Sequence, residues 1–180
     1  MDMKKKRIKQ NKIIISVLFR YLILVVMGIF LSVFYKILFP LTIWPSFFLL
    51  DLFYNPSVAG SSIFINNFTI QITNACVAGS AYYLLLILNL STRMKIKKRF
   101  YSVIFSISAF LILNILRIFL LSILFVQRFA FFDITHKLFW YALSVVFVVG
   151  IWFLTSWIFK IKDIPVYSDF KKLFKQIDYS

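Results

Sequence analysis

Hydrophobic and polar positions along the chain fall into long apolar runs parted by short basic or polar segments. Four runs reach or approach the roughly 20 residues a helix needs to cross a bilayer: Ile14–Phe39, Asn74–Ser91, Tyr101–Val126 and Leu138–Phe159. The second is the shortest and is expected to gain a turn from TRMKIKKRF, whose Lys and Arg side chains can snorkel. A further apolar piece, TIWPSFFLLDLFY at 42–54, is only 13 residues long and holds Pro45 and Asp51. That length predicts an interfacial or re-entrant segment. Between this piece and Cys76 the period changes. SSIFINNFTIQIT alternates, first through Ile63 and Ile65, then through Phe68, Ile70 and Ile72. Such alternation predicts a strand pair turning at Asn66-Asn67, with Pro56 and Gly60 in the loop before it. An isolated hairpin is marginal in water, so it should rest on the membrane surface or on helix ends. The expected fold is an all-α polytopic membrane protein of about four transmembrane helices, with a short extracytoplasmic β-hairpin before the second.

Composition leaves no room for a separate soluble domain. Of 180 residues, 62% are hydrophobic and 20% aromatic, with a mean hydropathy of +0.90. A water-soluble fold of this size could not cover that much apolar surface. Residues 1–180 therefore read as one integral membrane domain. Its parts are a basic tail at 1–13, an extracytoplasmic loop with the strand pair at 40–74, and a second basic tail at 160–180. The first apolar run is too long for a typical signal-peptide core and no A-x-A-like site follows it, so it reads as a retained span.

Charge sets the expected orientation. The net charge is +15, from 21 Lys plus Arg against 6 acidic residues. Lys4, Lys5, Lys6, Arg7, Lys9 and Lys12 precede the first run. Arg93, Lys95, Lys97, Lys98 and Arg99 lie between the second and third, and Lys160, Lys162, Lys171, Lys172 and Lys175 follow the fourth. Residues 40–74 contain no Lys or Arg, and 127–137 contain only Arg128 and Lys137. Basic residues beside apolar runs indicate topology and anionic lipid rather than nucleic acid. Both termini and the 92–100 loop are expected in the cytoplasm of a multi-pass plasma-membrane protein, with 40–74 and 127–137 outside. A full crossing by 42–54 would put the two basic tails on opposite sides, against this pattern.

Candidate chemistry is sparse. Cys76 is the only cysteine and His136 the only histidine. A disulfide within the chain, a Cys-rich metal site and a CxxC redox pair are thereby excluded. With no carboxylate cluster either, no metal or organic cofactor is implied. Cys76 starts the second span; a free Cys in such a place is usually a small packed residue, and the other reading is a nucleophile. Arg117 lies nine residues before Val126, about 13 Å below that end of the third span at helical rise. Burying it costs roughly 2.5–3.5 kcal/mol, so it needs a partner or a site. Asn114 shares its face at i−3. Arg117 can lock helices through Asn or backbone carbonyls, or it can serve chemistry. His136 sits just before the fourth span, with Asp133 three residues earlier, placed to orient the imidazole or only to solvate the loop.

The topology puts Cys76, His136 and the reach of Arg117 in the same outer half of the bundle. Thiol chemistry on an amide needs a thiolate, a proton donor for the leaving amine, and positive charge for the oxyanion. These three residues supply those roles in turn. Gly79, with Ala75, Ala78 and Ser80, leaves room for a substrate backbone.

Cys76-Val77-Ala78-Gly79 opening one span, Asn114-Ile115-Leu116-Arg117 in the next and His136 before the last resemble the exosortase/archaeosortase family. The resemblance covers roughly residues 55–159, including the alternating segment. Four spans make the chain similar to the compact archaeal members, and Val77 stands where many members have Ser or Ala. The resemblance implies a membrane-embedded cysteine transpeptidase. Its substrates are exported proteins ending in a short motif, a transmembrane helix and a basic tail, and the new C-terminus passes to a lipid or other acceptor. It also implies Cys76 as nucleophile, Arg117 as stabiliser of thiolate or oxyanion, and His136 as acid/base. Two other readings fit the bare residues: a small transporter or channel component using Arg117 and Asn114, and a non-catalytic assembly protein in which all three residues only pack helices.

Overall fold

The computed structural model describes residues 2–92, 94–161, 163, 165 and 167, and the side chains of all these except 2–13 and 143. Most of the basic side chains in the two tails, and Arg93, fall outside that set. Seven α-helices and three short strands follow one another: α1 (Asp2–Ile29), α2 (Leu31–Asp51), β1 (Ser57–Ala59), β2 (Ser62–Ile65), β3 (Phe68–Gln71), α3 (Asn74–Val77), α4 (Gly79–Ser91), α5 (Ile96–Val126), α6 (Phe132–Leu138) and α7 (Ser144–Ile158), with a π-helical stretch at Phe139–Leu143 between the last two.

Side-chain contacts order these helices into four antiparallel columns. Along α1 and α2 the residue numbers rise as those of their neighbour α4 fall. Arg20 donates to the Leu90 and Thr92 carbonyls, Tyr83 donates to Leu24, and Gly79 lies against Tyr35. Helix α5 runs back along α4, with Asn89 bonded to Ser106, Tyr82 stacked edge-on to Phe110 at 4.7 Å, and Asn114 at Cys76. Helix α7 reverses again, with Thr155 at Ser106 and Ser144 at Arg117. One end of the bundle carries Lys98, which donates to the Lys160 carbonyl. The other carries Cys76 and the sheet. Helices α2, α4 and α7 all pack on α5, which at 31 residues is about 46 Å long.

Among the described residues three helical stretches are long and apolar enough to cross a membrane: Leu31–Asp51, Asn74–Ser91 and Ile96–Val126. The bent pair Phe132–Ala142 and Ser144–Ile158, at 41°, makes a fourth if it is one span. Large apolar side chains point outward along the columns, Phe19 at 62% and Trp157 at 77% exposure among them. A mostly helical protein with such a surface suits a lipid environment.

Four expectations change. The first apolar run does not end at Phe39. The helix breaks at Phe30 and resumes as α2 through Pro40 and Pro45 to Asp51, so residues 42–51 are the upper part of the first column and not a separate re-entrant piece. Proline is tolerated inside membrane helices where hydroxyls and neighbours support the backbone. Here Thr42 and Ser46 turn their hydroxyls back to the Leu38 and Thr42 carbonyls, at 2.8 and 2.7 Å. The strand pair is a three-stranded antiparallel meander, β1-β2-β3. Strand β1 is too short at three residues for its alternation to register, and its turn to β2 uses Gly60 at φ +61°. Helix α4 gains no extra turn: it ends at Ser91, and the basic residues Lys97, Lys98 and Arg99 instead open α5. Finally, the last column begins at Phe132 rather than Leu138, so His136 lies on a helix and not in a loop.

Association of the columns cannot rest on expelling water if the surround is lipid; packing and interhelical bonds carry it. Two glycines show how. A Cβ on Gly28 would sit 2.7 Å from the Tyr83 hydroxyl, and a Cβ on Gly79 would sit 2.7–3.0 Å from the Tyr35 ring. Each side of the α1–α2/α4 contact thus offers a glycine to a tyrosine of the other. At the basic end, Asn89 of α4 donates to Ser106, accepts from Ser102, and Ser106 in turn meets Thr155 at 3.0 Å. This buried cluster ties three columns together.

Candidate active site

The backbone break after Cys76 creates the site. Thr73 begins a single turn, α3, whose Cys76 and Val77 amides bond the Thr73 carbonyl. Ala78 then takes the left-handed conformation, φ 55° and ψ 39°, which ends α3 and precedes α4. In an unbroken helix the Cys76 carbonyl would receive the amide of the residue four ahead. Here it receives side chains of α5 instead: Asn114 Nδ2 at 2.9 Å and Arg117 Nη2 at 3.4 Å. The Asn-x-x-Arg spacing works because both residues face α3 from one helix side.

Arg117 is 5% exposed and Asn114 1%. The second arm of the guanidinium, Nη1, donates to Ser144 Oγ at 2.9 Å. Ser144 is presented by the π-helical stretch, and its hydroxyl also donates to the Phe139 carbonyl five residues back, at 3.4 Å. Arg117 therefore joins α3, α5 and α7. Ser144 was not among the candidate residues, because a lone Ser inside an apolar run carries no signal unless the π turn that aims it is known. Among the described residues, Arg117 Nε and Asn114 Oδ1 have no hydrogen-bond partner.

A cavity of about 310 Å³ opens over this junction, at the lower end of the range for ligand pockets. Cys76, Arg117 and His136 all line it. Cys76 comes from α3, is half-buried, and has Thr73 Oγ1 3.6 Å from its sulfur. His136 comes from α6 and is exposed. Its ring lies parallel to Phe132 at 5.6 Å between centroids and tilted over Trp140 at 6.3 Å. Both rings line the cavity too, so the imidazole is held between aromatic neighbours one helical turn either side. Thr69 to Thr73 also line the cavity, as a continuous strip.

Two supporting residues stand elsewhere. Asp133 is exposed, outside the cavity lining, and makes no hydrogen bond to His136 among the described residues; aromatic stacking, not a carboxylate, orients the ring. Gly79 is buried against Tyr35, not against the cavity. Its lack of a side chain serves helix packing, and the space beside Cys76 is bordered by Ala75 instead. Among the described residues no group of three or more His, Cys, Asp or Glu side chains gathers to hold a metal.

Comparison of the chain with protein-family models, with curated proteins and with solved structures returns no match.

Proposed function

We propose that this protein is a membrane-embedded cysteine transpeptidase of the exosortase/archaeosortase type. Its four columns cross the plasma membrane, both termini and the 92–100 link face the cytoplasm, and the Cys76 end faces outward. The observation that carries this reading is the convergence of Cys76, Arg117 and His136, from three separate helices, on one cavity. The only thiol and the only imidazole of the sequence share that cavity with a buried guanidinium.

The reaction follows from these groups. The Cys76 thiol passes its proton to His136, its sulfur attacks the scissile carbonyl near the C-terminal motif of an exported protein, and the tetrahedral oxyanion forms beside the Arg117 positive charge. The C–N bond breaks as His136 gives the leaving amine its proton, and the signal helix with its basic tail departs. The exported protein remains as a thioester on Cys76. A nucleophile from a lipid or other acceptor, or water, then attacks the thioester and loses its proton to His136, the C–S bond breaks, and His136 returns that proton to the Cys76 sulfur. Besides acting electrostatically, Arg117 helps to position the nucleophile through a weak contact, 3.4 Å, to the carbonyl of the same residue. Asn114 shares that task. Membrane lipids are the only other partners this reading needs, and it involves no nucleic acid, metal or cofactor.

The test is co-expression with exported proteins from the same genome that end in a motif, an apolar helix and a basic tail. Mass spectrometry of their C-termini is expected to show loss of the tail with the wild type and retention with Cys76→Ala. Intact tails with the wild type, or identical trimming with Cys76→Ala, would defeat the proposal.

A further inference from the structure

Strand β3 ends three residues before the Cys76 turn, and one of its edges is unused. The sheet order β1-β2-β3 puts β3 at the border, paired only with β2. The register fixes which of its backbone groups are free. Ile72 donates to the Ser61 carbonyl at 2.8 Å. Antiparallel ladders alternate between bonded and non-bonded pairs. With Ile63 opposite Ile70 and Ile65 opposite Phe68, the bonded pairs use Phe68, Ile70 and Ile72. The amides and carbonyls of Thr69 and Gln71 therefore point away from β2. Among the described residues nothing takes them.

That free edge lies along the cavity. A strand that offered one face would contribute alternate residues to the lining. Instead Thr69, Ile70, Gln71, Ile72 and Thr73 all line it, and Ala75 and Cys76 line it beyond them. Thr69 and Gln71 are exposed, and exposed edges in natural proteins are usually blunted by charge or proline. Thr69 and Gln71 bring neither.

We infer that β3 is a docking edge for an extended peptide, which pairs with the backbone of Thr69 and Gln71 and delivers its next residues to Cys76. The repeat of free groups, about 6.6 Å from Thr69 to Gln71, matches only another extended chain. A lipid tail has no donors, and a membrane helix has none to spare. The direction follows as well, given the proposed function. Strand β3 runs toward Cys76 and feeds into α3 and α4. A substrate whose extended motif precedes its membrane helix has the same connectivity and so pairs parallel to β3. Every second substrate residue then turns both its amide and its carbonyl to the edge, and the residues between turn theirs away. Recognition of this kind is set by main-chain bonds, with side-chain pockets on alternate positions adding selectivity. Phe125, Phe132 and Trp140 line the same cavity.

Binding can be read without cleavage. The probe is a pool of synthetic peptides, each a short randomised segment followed by an apolar stretch of about 20 residues and a lysine tail. It is presented to the full-length Cys76→Ala protein in lipid nanodiscs, and retained members are sequenced. A retained peptide is then remade with single N-methyl amides along the extended segment. Methylation at one alternate set of positions is expected to weaken binding about tenfold, the loss of one main-chain bond, and methylation at the other set to leave it within about twofold. Thr69→Pro and Gln71→Pro, which remove outward amides but none of the β2 ladder, are expected to weaken it similarly; circular dichroism and elution volume check that they fold. Failure to retain any peptide, an N-methyl pattern without alternation, or folded proline variants that bind like the parent would overturn the inference. Alternation without cleavage by the wild type would instead remove the transpeptidase reading and leave the docking edge standing.

Discussion

Replacing Asn114 with Leu separates local from global effects at the site. Asn114 Nδ2 holds the Cys76 carbonyl at 2.9 Å, whereas its Oδ1 is buried with no partner among the described residues. Leu is close in volume and deletes both groups. The lost bond removes about 0.5–1.5 kcal/mol from whatever keeps the 74–78 turn closed. Arg117 Nη2 stays on the same carbonyl, but at 3.4 Å it is beyond the usual hydrogen-bond range and holds weakly. Deleting a buried unpartnered carbonyl returns about 1–3 kcal/mol to the fold as a whole. The expected outcome is thus a turn that opens more often in a protein no less stable. Cys76 is the only thiol, so its maleimide labelling rate in nanodiscs reports opening directly. Where labelling proceeds through the open turn, the rate should rise about 2- to 13-fold, with the unfolding midpoint unchanged or higher. Unchanged or slower labelling in Asn114→Leu would refute the idea that this amide clamps the turn.

Other outcomes follow from the same structure. A membrane-impermeant maleimide added to intact cells is expected to label Cys76; labelling only after the membrane is opened would reverse the proposed orientation. Gly79→Ala places a Cβ against the Tyr35 ring and should destabilise by about 1–3 kcal/mol in detergent unfolding. Adding Tyr35→Leu should recover part of that loss, and equal effects with and without Tyr35 would remove the packing explanation. Asn89→Ala breaks the bonds to Ser102 and Ser106; at about 0.6 kcal/mol for each interhelical bond within a membrane, it should lower stability by about 1 kcal/mol without changing Cys76 labelling.

The columns were legible because apolar runs of membrane length survive any local irregularity. What was not legible is the set of irregularities that shape the site. Alanine is no marker of left-handed backbone, so the turn at Ala78 had no signal, yet it frees the Cys76 carbonyl for Asn114 and Arg117. Pro40 and Pro45 are strong breakers on their own and weak ones where hydroxyls and neighbouring helices support the backbone, as Thr42 and Ser46 do here, so α2 runs on past them. The π stretch that aims Ser144 depends on packing, and residue types in FWYAL do not encode it. Asn114 and Arg117 stood out because polar groups within apolar runs demand partners. The same signal was present at Asn89, Ser102, Ser106 and Thr155, and it marked a clasp between helices. Gly79 was visible as a residue, but only the ring of Tyr35 shows what it makes room for.

The central claim is a thioester on Cys76, and hydroxylamine reads it most directly. Attack on a thioester gives a C-terminal hydroxamate and a free thiol. Incubation of wild-type protein, an exported substrate and hydroxylamine should yield product ending in a hydroxamate, and none with Cys76→Ala. Product that carries only a carboxylate in the presence of hydroxylamine, or cleavage that survives Cys76→Ala, would contradict the account.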